Sequence, residues 1–367
     1  MNEATAKSLV LEDGTTFGGF QFGGGEFAYG EVVFNTSMTG YQEILTDPSY
    51  AGQIVVSTYP IIGNYGVNEK DFESDKIQVS GFVVREYCDF PSHNDSNDDI
   101  NGFLRSHNIA GLAGIDTRAL TKKIRTSGVM MGVIINTDDV DKAKGLFNKL
   151  PKYEDIDYVS KVTTNAQYDF ISKPSNGSMK GFTIVVDDYG VKRSILRILE
   201  SKGCRVVVVP AKSSLQEVLS LKPDGIVISP GPGDPELLKY LVNKTKKLIG
   251  RLPILGICLG NQVLGCAMGG KTFKLPFGHR GGNHPVKDLV SGKGFITAQN
   301  HGYALDAETL PSDLDVTHIN LNDGTVEGIR HNELPIMGVQ FHSEASPGPL
   351  DNEYLFDRFL DLVRKNE

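Results

Sequence analysis

The sequence predicts an α/β protein in which a β-rich N-terminal domain precedes a domain with an open, mostly parallel sheet. From about residue 181, short apolar runs alternate with segments of helical spacing, as in a parallel sheet covered by helices on both faces. Before about residue 171, β-branched runs and turn signals dominate. We therefore expect two domains, 1–171 and 181–367, joined by a linker at 172–180 that is rich in Ser, Pro, Asn and Gly.

Length, composition and charge restrict the class of protein. The 367 residues are 40% hydrophobic and 22% charged, with a formal net charge of −8, which does not favour nucleic acid or an anionic membrane as a partner. There is no run of 18 apolar residues and no signal-peptide pattern, so we expect a cytoplasmic protein. The four cysteines form no metal-type spacing and are expected to be reduced: Cys88, Cys204, Cys258 and Cys266.

The N-terminal domain begins with a hairpin signal at Asp13-Gly14. Further strands are predicted at 31–34, 53–59 and 76–85, and helices at 98–107 and 116–127. The segment 34–53 is dense in hydroxyl groups, among them Ser49. Such a segment is usually a solvated loop, and contact with a ligand is the alternative.

The second domain shows a regular alternation of elements. Strands are predicted at 182–186, 205–209, 225–229, 253–257, 294–299, 315–320, 326–330 and 335–341. Helices are predicted at 194–201, 214–221, 235–249, 259–268 and 353–364.

Cys258 lies where the strand 253–257 changes into a helix. The helix N-terminus directs N–H groups towards this position and favours a thiolate there. Gly256 and Gly260 flank the thiol, and we expect them to leave it open to a substrate carbonyl. The alternative is a cysteine that is simply packed in the core.

His342 and Glu344 follow the strand that ends at Phe341. In an extended chain, residues two apart point the same way, so the carboxylate can orient the imidazole as a base for a nucleophile. An isolated His-x-Glu is more often surface or a satisfied histidine, and metal binding by this pair lacks a third ligand.

The segment 228–235, ISPGPGDP, places bare backbone N–H groups at the end of another strand. A rigid loop of this kind suits an oxyanion hole, and a plain Pro/Gly turn is the alternative. A phosphate-binding loop is excluded because no GK[ST] follows.

Three motifs together, GICLGNQ (256–262), SPGPGDP (229–235) and GVQFHSEASPGP (338–349), resemble the class I, triad-type glutamine amidotransferase domain. Four more stretches resemble the small-subunit family of carbamoyl-phosphate synthase: 30–55, 114–125, 277–286 and 296–306. The stretches 30–55 and 114–125 are the discriminating ones, because other class I amidotransferases lack such an N-terminal domain.

The resemblance implies a role for individual residues. Cys258 matches the nucleophile, His342 the base and Glu344 the orienting acid, while the backbone N–H groups of Leu259 and Gly233 match the oxyanion hole. The positions that match glutamine-binding residues are Ser49, Gly231, Gly233, Leu259, Gln262, Asn300, Gly302 and Tyr303. Asn261 departs from the usual His, and Tyr303 stands where Phe is also usual.

The resemblance also implies L-glutamine as substrate and a large partner subunit that uses ATP and Mg²⁺ to make carbamoyl phosphate from bicarbonate, for arginine or pyrimidine synthesis. We expect no metal or cofactor in this chain. Three alternatives stay open: a glutaminase for another acceptor, a cysteine peptidase or γ-glutamyl hydrolase, and an inactive regulatory scaffold.

Overall fold

A computed structural model describes residues 5–172 and 181–366 of the chain. Its contacts divide it into two compact units, Met1–Ile156 and Asp157–Glu367. The predicted linker, 172–180, lies outside the described residues apart from Ser172.

The first unit is β-rich, as predicted. Its strands are β1 (Ala6–Leu11), β2 (Thr16–Gly23), β3 (Ala28–Asn35), β4 (Gln53–Ser57), β5 (Ile61–Ile62), β6 (Gly81–Val83), β7 (Glu86–Tyr87), β8 (Ala110–Ala113) and β9 (Met130–Asn136). Its helices are α1 (Tyr41–Thr46), α2 (Ile100–Ser106), α3 (Thr117–Ser127) and α4 (Val140–Phe147). Seven strands close into a barrel in the order β1-β2-β8-β6-β4-β3-β9.

Local signals in the first unit act as the sequence predicts. β1 and β2 pair antiparallel around Asp13-Gly14, and Gly14 has a φ of 87°, which a glycine adopts without strain. Helix α3 is capped by Asp116, whose side chain accepts the backbone N–H of Ala119 at 2.9 Å. The strand predicted at 76–85 is shorter and contains only β6.

The second unit holds the remaining elements. Its strands are β10 (Tyr168–Phe170), β11 (Thr183–Asp188), β12 (Arg205–Pro210), β13 (Gly225–Ile228), β14 (Ile254–Ile257), β15 (Thr272–Asp288), β16 (Gly294–Leu305), β17 (Leu314–Asn320), β18 (Val326–His331) and β19 (Ile336–Val339). Its helices are α5 (Val159–Val162), α6 (Arg193–Ser201), α7 (Leu215–Ser220), α8 (Lys239–Leu248), α9 (Leu259–Ala267) and α10 (Tyr354–Lys365).

These strands form one sheet in the order β10-β12-β11-β13-β14-β19-β18-β17-β15-β16. The strands β12, β11, β13, β14 and β19 run parallel, and the remaining pairings are antiparallel. Ile184 and Val186 of β11 belong to a core that includes α6 and α10, whereas Val185 belongs to a core that includes α8 and α9. The parallel part is therefore buried on both faces, which confirms the predicted α/β class.

Three expectations differ from the structure. The long strand β15 was not predicted, because Pro276, Gly278 and Gly281 interrupt any alternation and the pairing with β16 shifts register twice. The helix predicted at 235–249 begins at Lys239, after a 3₁₀ turn. Residues 157–170, expected in the first domain, belong to the second unit, since β10 pairs with β12.

Among the described residues, no helix combines the length and the apolar character that crossing a membrane requires.

Candidate active site

Cys258 occupies the turn between β14 and α9, as the sequence predicts. Its backbone has φ 53° and ψ −107°, a conformation that a residue with a side chain rarely adopts. Its N–H donates to the carbonyl of Val339 at 2.8 Å, and its carbonyl accepts the N–H of Gln262 at 3.2 Å. The side chain is buried. Hydrogen bonds to β19 and α9 thus hold Cys258 in a strained conformation at the turn that joins β14 to α9.

The flanking glycines have a packing role that was not predicted from the sequence. A Cβ on Gly260 would lie 2.1 Å from the carbonyl oxygen of Ile228, and a Cβ on Gly256 would lie 2.7 Å from the carbonyl oxygen of Gly260. Both residues are buried. Gly260 therefore allows α9 to approach β13 closely, and Gly256 allows the same helix to approach β14. That the two glycines leave the thiol open to a substrate carbonyl stays a prediction.

His342 and Glu344 form a hydrogen bond of 2.6 Å between Nδ1 and Oε1, and both side chains are buried. The sequence predicts this contact, but it does not predict the backbone conformation that brings the two side chains together. Glu344 lies in a turn, in which the N–H of Ala345 donates to the carbonyl of His342, and not in an extended strand. The N–H of His342 donates to the carbonyl of Ala298 at 2.9 Å, which ties the turn to β16.

Lys192, just before α6, completes this group of charges. Its Nζ lies 3.1 Å from Oε1 of Glu344 and donates to the carbonyl of Ala345 at 2.6 Å. The side chain is 2% exposed. This residue could not be predicted from the sequence, since a single lysine in a polar loop carries no signal of burial.

The charges in this group determine its protonation. Burial would raise the pKa of Glu344, but Lys192 and His342 lower it to about 2. Burial would lower the pKa of His342, but the charge of Glu344, followed by the charge and hydrogen bonding of Cys258, raises it to about 10 against the effect of Lys192. A carboxylate beside an imidazolium is therefore favoured, with the Cys258 side chain close to the ring. The Nε2 of His342 lacks a hydrogen-bond partner of ordinary geometry within the described part of the chain.

Several predicted glutamine-binding residues surround Cys258. Its Sγ lies 3.6 Å from the carbonyl oxygen of Asn300, and Leu259 begins α9. The Nε2 of Gln262 donates to the carbonyl of Tyr303 at 2.7 Å. These contacts bring α9 and β16 together on one side of the thiol.

The predicted loop lies beside Leu259. A Cβ on Gly231 would lie 2.2 Å from the carbonyl of Tyr189 and 2.9 Å from the Leu259 side chain, so only glycine fits there. Gly233 has a φ of 104° with open space at its Cβ position, and Gly302 lies on β16 near Arg280.

Ser49 belongs to the first unit. Its N–H donates to Oδ1 of Asp47 at 2.8 Å in the 3₁₀ turn Pro48–Tyr50. Its hydroxyl is buried and has no hydrogen-bond partner among the described residues. Its predicted contact with glutamine stays a prediction.

One group of described side chains has the composition of a metal site: His279, His301 and Glu327, all buried, with ligand atoms within 4.8 Å of one another. Both ring nitrogens of His301 already have partners, the carbonyl of Tyr303 and the side chain of Gln299. His279 bonds Asp323 at 2.8 Å. These side chains of β15, β16 and β18 take part in hydrogen bonds within the protein.

Comparisons with known proteins extend over both units. A family model for the carbamoyl-phosphate synthase small chain, CPSase domain, matches residues 9–134, and one for class I glutamine amidotransferases matches residues 184–362. The chain is 49% identical over 356 residues to the carbamoyl phosphate synthase small chain of Clostridium perfringens, covering 96% of this chain and 98% of that protein. It is 50% identical over 361 residues to the one of Chlorobaculum tepidum, covering 97% of each.

A search of solved structures matches a glutamine amidotransferase from Thermotoga maritima with a TM-score of 0.36 and 18% identity, covering 50% of this chain and 84% of that one.

Proposed function

The chain belongs to the carbamoyl-phosphate synthase small-chain family and carries a class I glutamine amidotransferase domain, and on that premise we propose that it hydrolyses the side-chain amide of L-glutamine through a thioester on Cys258. The observation that carries the proposal is the buried thiol on a strained strand-to-helix turn beside the His342–Glu344 pair. Nucleophile, base and orienting carboxylate are the groups that this chemistry requires.

In the first step, the Cys258 sulfur attacks the carboxamide carbon. The raised pKa of His342 favours the proton on the imidazole. In the proposed mechanism the sulfur attacks as the anion of a thiolate–imidazolium pair. The developing oxyanion accepts hydrogen bonds from the N–H groups of Leu259 and Gly233. Leu259 begins α9, so its N–H is among those without a partner inside the helix. One such donor is worth about 3 kcal/mol in other enzymes.

In the second step, His342 gives its proton to the departing nitrogen, the C–N bond breaks, and ammonia leaves a glutamyl thioester. Neutral His342 then takes a proton from water. The resulting hydroxide adds to the thioester carbon, the C–S bond breaks, and glutamate is released. Glu344 and Lys192 keep the imidazole in one orientation throughout, which the 2.6 Å and 3.1 Å contacts support.

We propose that the ammonia passes to a large partner subunit, which binds ATP and Mg²⁺ and makes carbamoyl phosphate from bicarbonate for arginine or pyrimidine synthesis. The two subunits would form a cytoplasmic heterodimer with ligase activity. In this scheme the predicted residues of α9 and β16 bind the glutamine substrate, and the contact of Ser49 with it stays a prediction.

Cys258→Ser tests the proposal in the complex of this chain with the large subunit of its source organism. We expect the variant to lose glutamine-dependent carbamoyl phosphate synthesis by about a thousandfold or more and to keep ammonia-dependent synthesis, since only the first requires the nucleophile. Release of ammonia from free glutamine by the wild-type complex, without cleavage of peptides, separates this function from a peptidase. Persistent glutamine-dependent synthesis in the variant would assign the nucleophile elsewhere.

A further inference from the structure

Gln340 lies between the end of β19 and His342, and it is completely buried. Its backbone N–H donates to the carbonyl of Glu327 at 2.9 Å, which fixes the chain at this point. Its side-chain amide contacts three side chains: Cys258 in the turn between β14 and α9, and Asn261 and Gln262 in the first turn of α9.

The orientation of the Gln340 amide follows from its neighbours. A backbone carbonyl can only accept, so the atom of Gln262 that faces the Tyr303 carbonyl at 2.7 Å must be Nε2. The same Nε2 lies 3.1 Å from Gln340, so the facing atom of Gln340 must be the acceptor, Oε1. The Nε2 of Gln340 is then the atom that lies 3.7 Å from Sγ of Cys258.

Two consequences follow from this chain of contacts. A glutamine amide has two N–H hydrogens, and those of Gln262 are taken by Tyr303 and Gln340. The Oε1 of Gln262 is the remaining polar atom of this amide, and it can only accept. At the other end, an N–H of Gln340 points at the sulfur, where a negative charge makes such a bond stronger.

We propose that Gln340 is a positioning residue of the glutaminase reaction with two separable effects: its N–H stabilises the anionic sulfur of Cys258, and its Oε1 holds Gln262 so that Gln262 Oε1 accepts from the ammonium group of the substrate. The inference rests on the proposed function and adds a residue to that site. The first effect acts on the attack and on the return of the sulfur when the thioester is cleaved, and the second acts on binding.

Two substitutions separate the effects. Gln340→Glu keeps an acceptor towards Gln262 but removes the N–H donor to the sulfur. We expect kcat for glutamine hydrolysis to fall about tenfold or more, because a hydrogen bond to a charged group is lost, while KM changes less than about twofold. Gln340→Leu removes donor and acceptor, and we expect a similar fall in kcat together with a rise in KM of about tenfold.

A readout that does not need turnover is the reaction of Cys258 with iodoacetamide, followed on its own peptide by mass spectrometry because other thiols are also present. We expect the alkylation rate at neutral pH to fall about tenfold in both variants, and the rise of the rate to move to higher pH. A purely structural role for Gln340 would leave this profile unchanged in folded Gln340→Leu, which adds no charge beside the sulfur.

The control is Gln78→Leu, which removes a half-buried glutamine amide whose Nε2 donates to Ser74 in the first unit. It should leave kcat, KM and the alkylation profile at wild-type values. If folded Gln340→Glu keeps wild-type kcat and alkylation, the inference is wrong although glutamine is still hydrolysed. If the wild-type complex releases no ammonia from glutamine, the proposed function itself is wrong, and the alkylation profiles alone decide the contact with sulfur.

Discussion

At the scale of single residues, the site depends on charges that compensate one another in a buried place. Glu344 interacts with both His342 and Lys192, and each of these cations makes the carboxylate favourable where burial alone would not. Removal of one partner leaves the other charges unpaired. The cluster is therefore sensitive to any substitution that changes charge, even where the shape is kept.

The raised pKa of His342 predicts a pH-dependent contribution to stability. The group titrates near 6.5 when unfolded and near 10 when folded, so the stabilisation is complete below about pH 6.5 and is lost as the pH rises towards 10. We expect wild type to be more stable than His342→Asn at pH 6, with an advantage that shrinks by at most about 1.4 kcal/mol per pH unit above that. Urea unfolding of both proteins at pH 6 to 9.5 measures this difference in the free energy of unfolding.

A constant difference between the two proteins over this range would show that the imidazolium does not contribute to folding. An advantage that grows with pH would show that His342 is neutral in the native state.

The sequence indicates some of these residues better than others. Cys258 and the His342–Glu344 pair lie in short sequence motifs, so the neighbouring residues in the sequence are enough to predict them. Lys192 contacts Glu344 across the fold from the start of α6, and nothing around it in the sequence marks it as buried. Its role depends on the tertiary structure alone.

At the scale of elements, the close approach of α9 to β13 places Cys258. Gly260 allows this approach because its missing Cβ leaves room for the Ile228 carbonyl. From the sequence, these glycines were expected to leave the thiol open to the substrate. Their packing role shows only in the positions of the neighbouring backbone atoms.

Gly260→Ala should destabilise the protein by about 2–3 kcal/mol, because a Cβ 2.1 Å from a backbone oxygen forces α9 away from the sheet. Gly145→Ala in α4 is the matched control, with open space at its Cβ position. There, alanine should raise the free energy of unfolding by about 0.5–1 kcal/mol through helix propensity. Urea unfolding of both variants compares them.

If Gly260→Ala stabilised the protein as the control does, the close contact would not constrain α9. We also expect Gly260→Ala, and not Gly145→Ala, to slow glutamine hydrolysis, since movement of α9 displaces Leu259 and Gln262 together with the thiol.

At the scale of the whole molecule, residues 157–170 support the second unit, although composition alone assigned them to the first. Val159 is completely buried in the core that contains Val185 of β11. The N–H of Thr164 donates to Oδ2 of Asp188 at 2.7 Å. The Oδ1 of Asp188 accepts from Gly190 and Val191, the residues just before Lys192. The segment therefore helps to hold the loop that carries Lys192.

This segment could not be assigned to its unit from the sequence, because β10 has three residues and α5 has four, too few to show a period. Its edge strand pairs antiparallel with a sheet that is otherwise parallel nearby, so the strand–helix alternation begins only after it.

Two fragments test the assignment. A fragment of residues 157–367 should unfold cooperatively in urea and be more stable than 181–367 by at least about 2 kcal/mol, since the shorter one loses the burial of Val159 and the hydrogen bond to Asp188. A fragment of 168–367 is the control that keeps β10 but not α5 or Thr164, and its stability should lie between the other two. With the Asp188 loop unsupported, Lys192 should withdraw from Glu344 and change the charges around His342, so the rate at which iodoacetamide alkylates Cys258 should differ between 181–367 and 157–367. Equal stability and equal alkylation of all three fragments would instead place the boundary of the second unit at residue 181, where composition puts it.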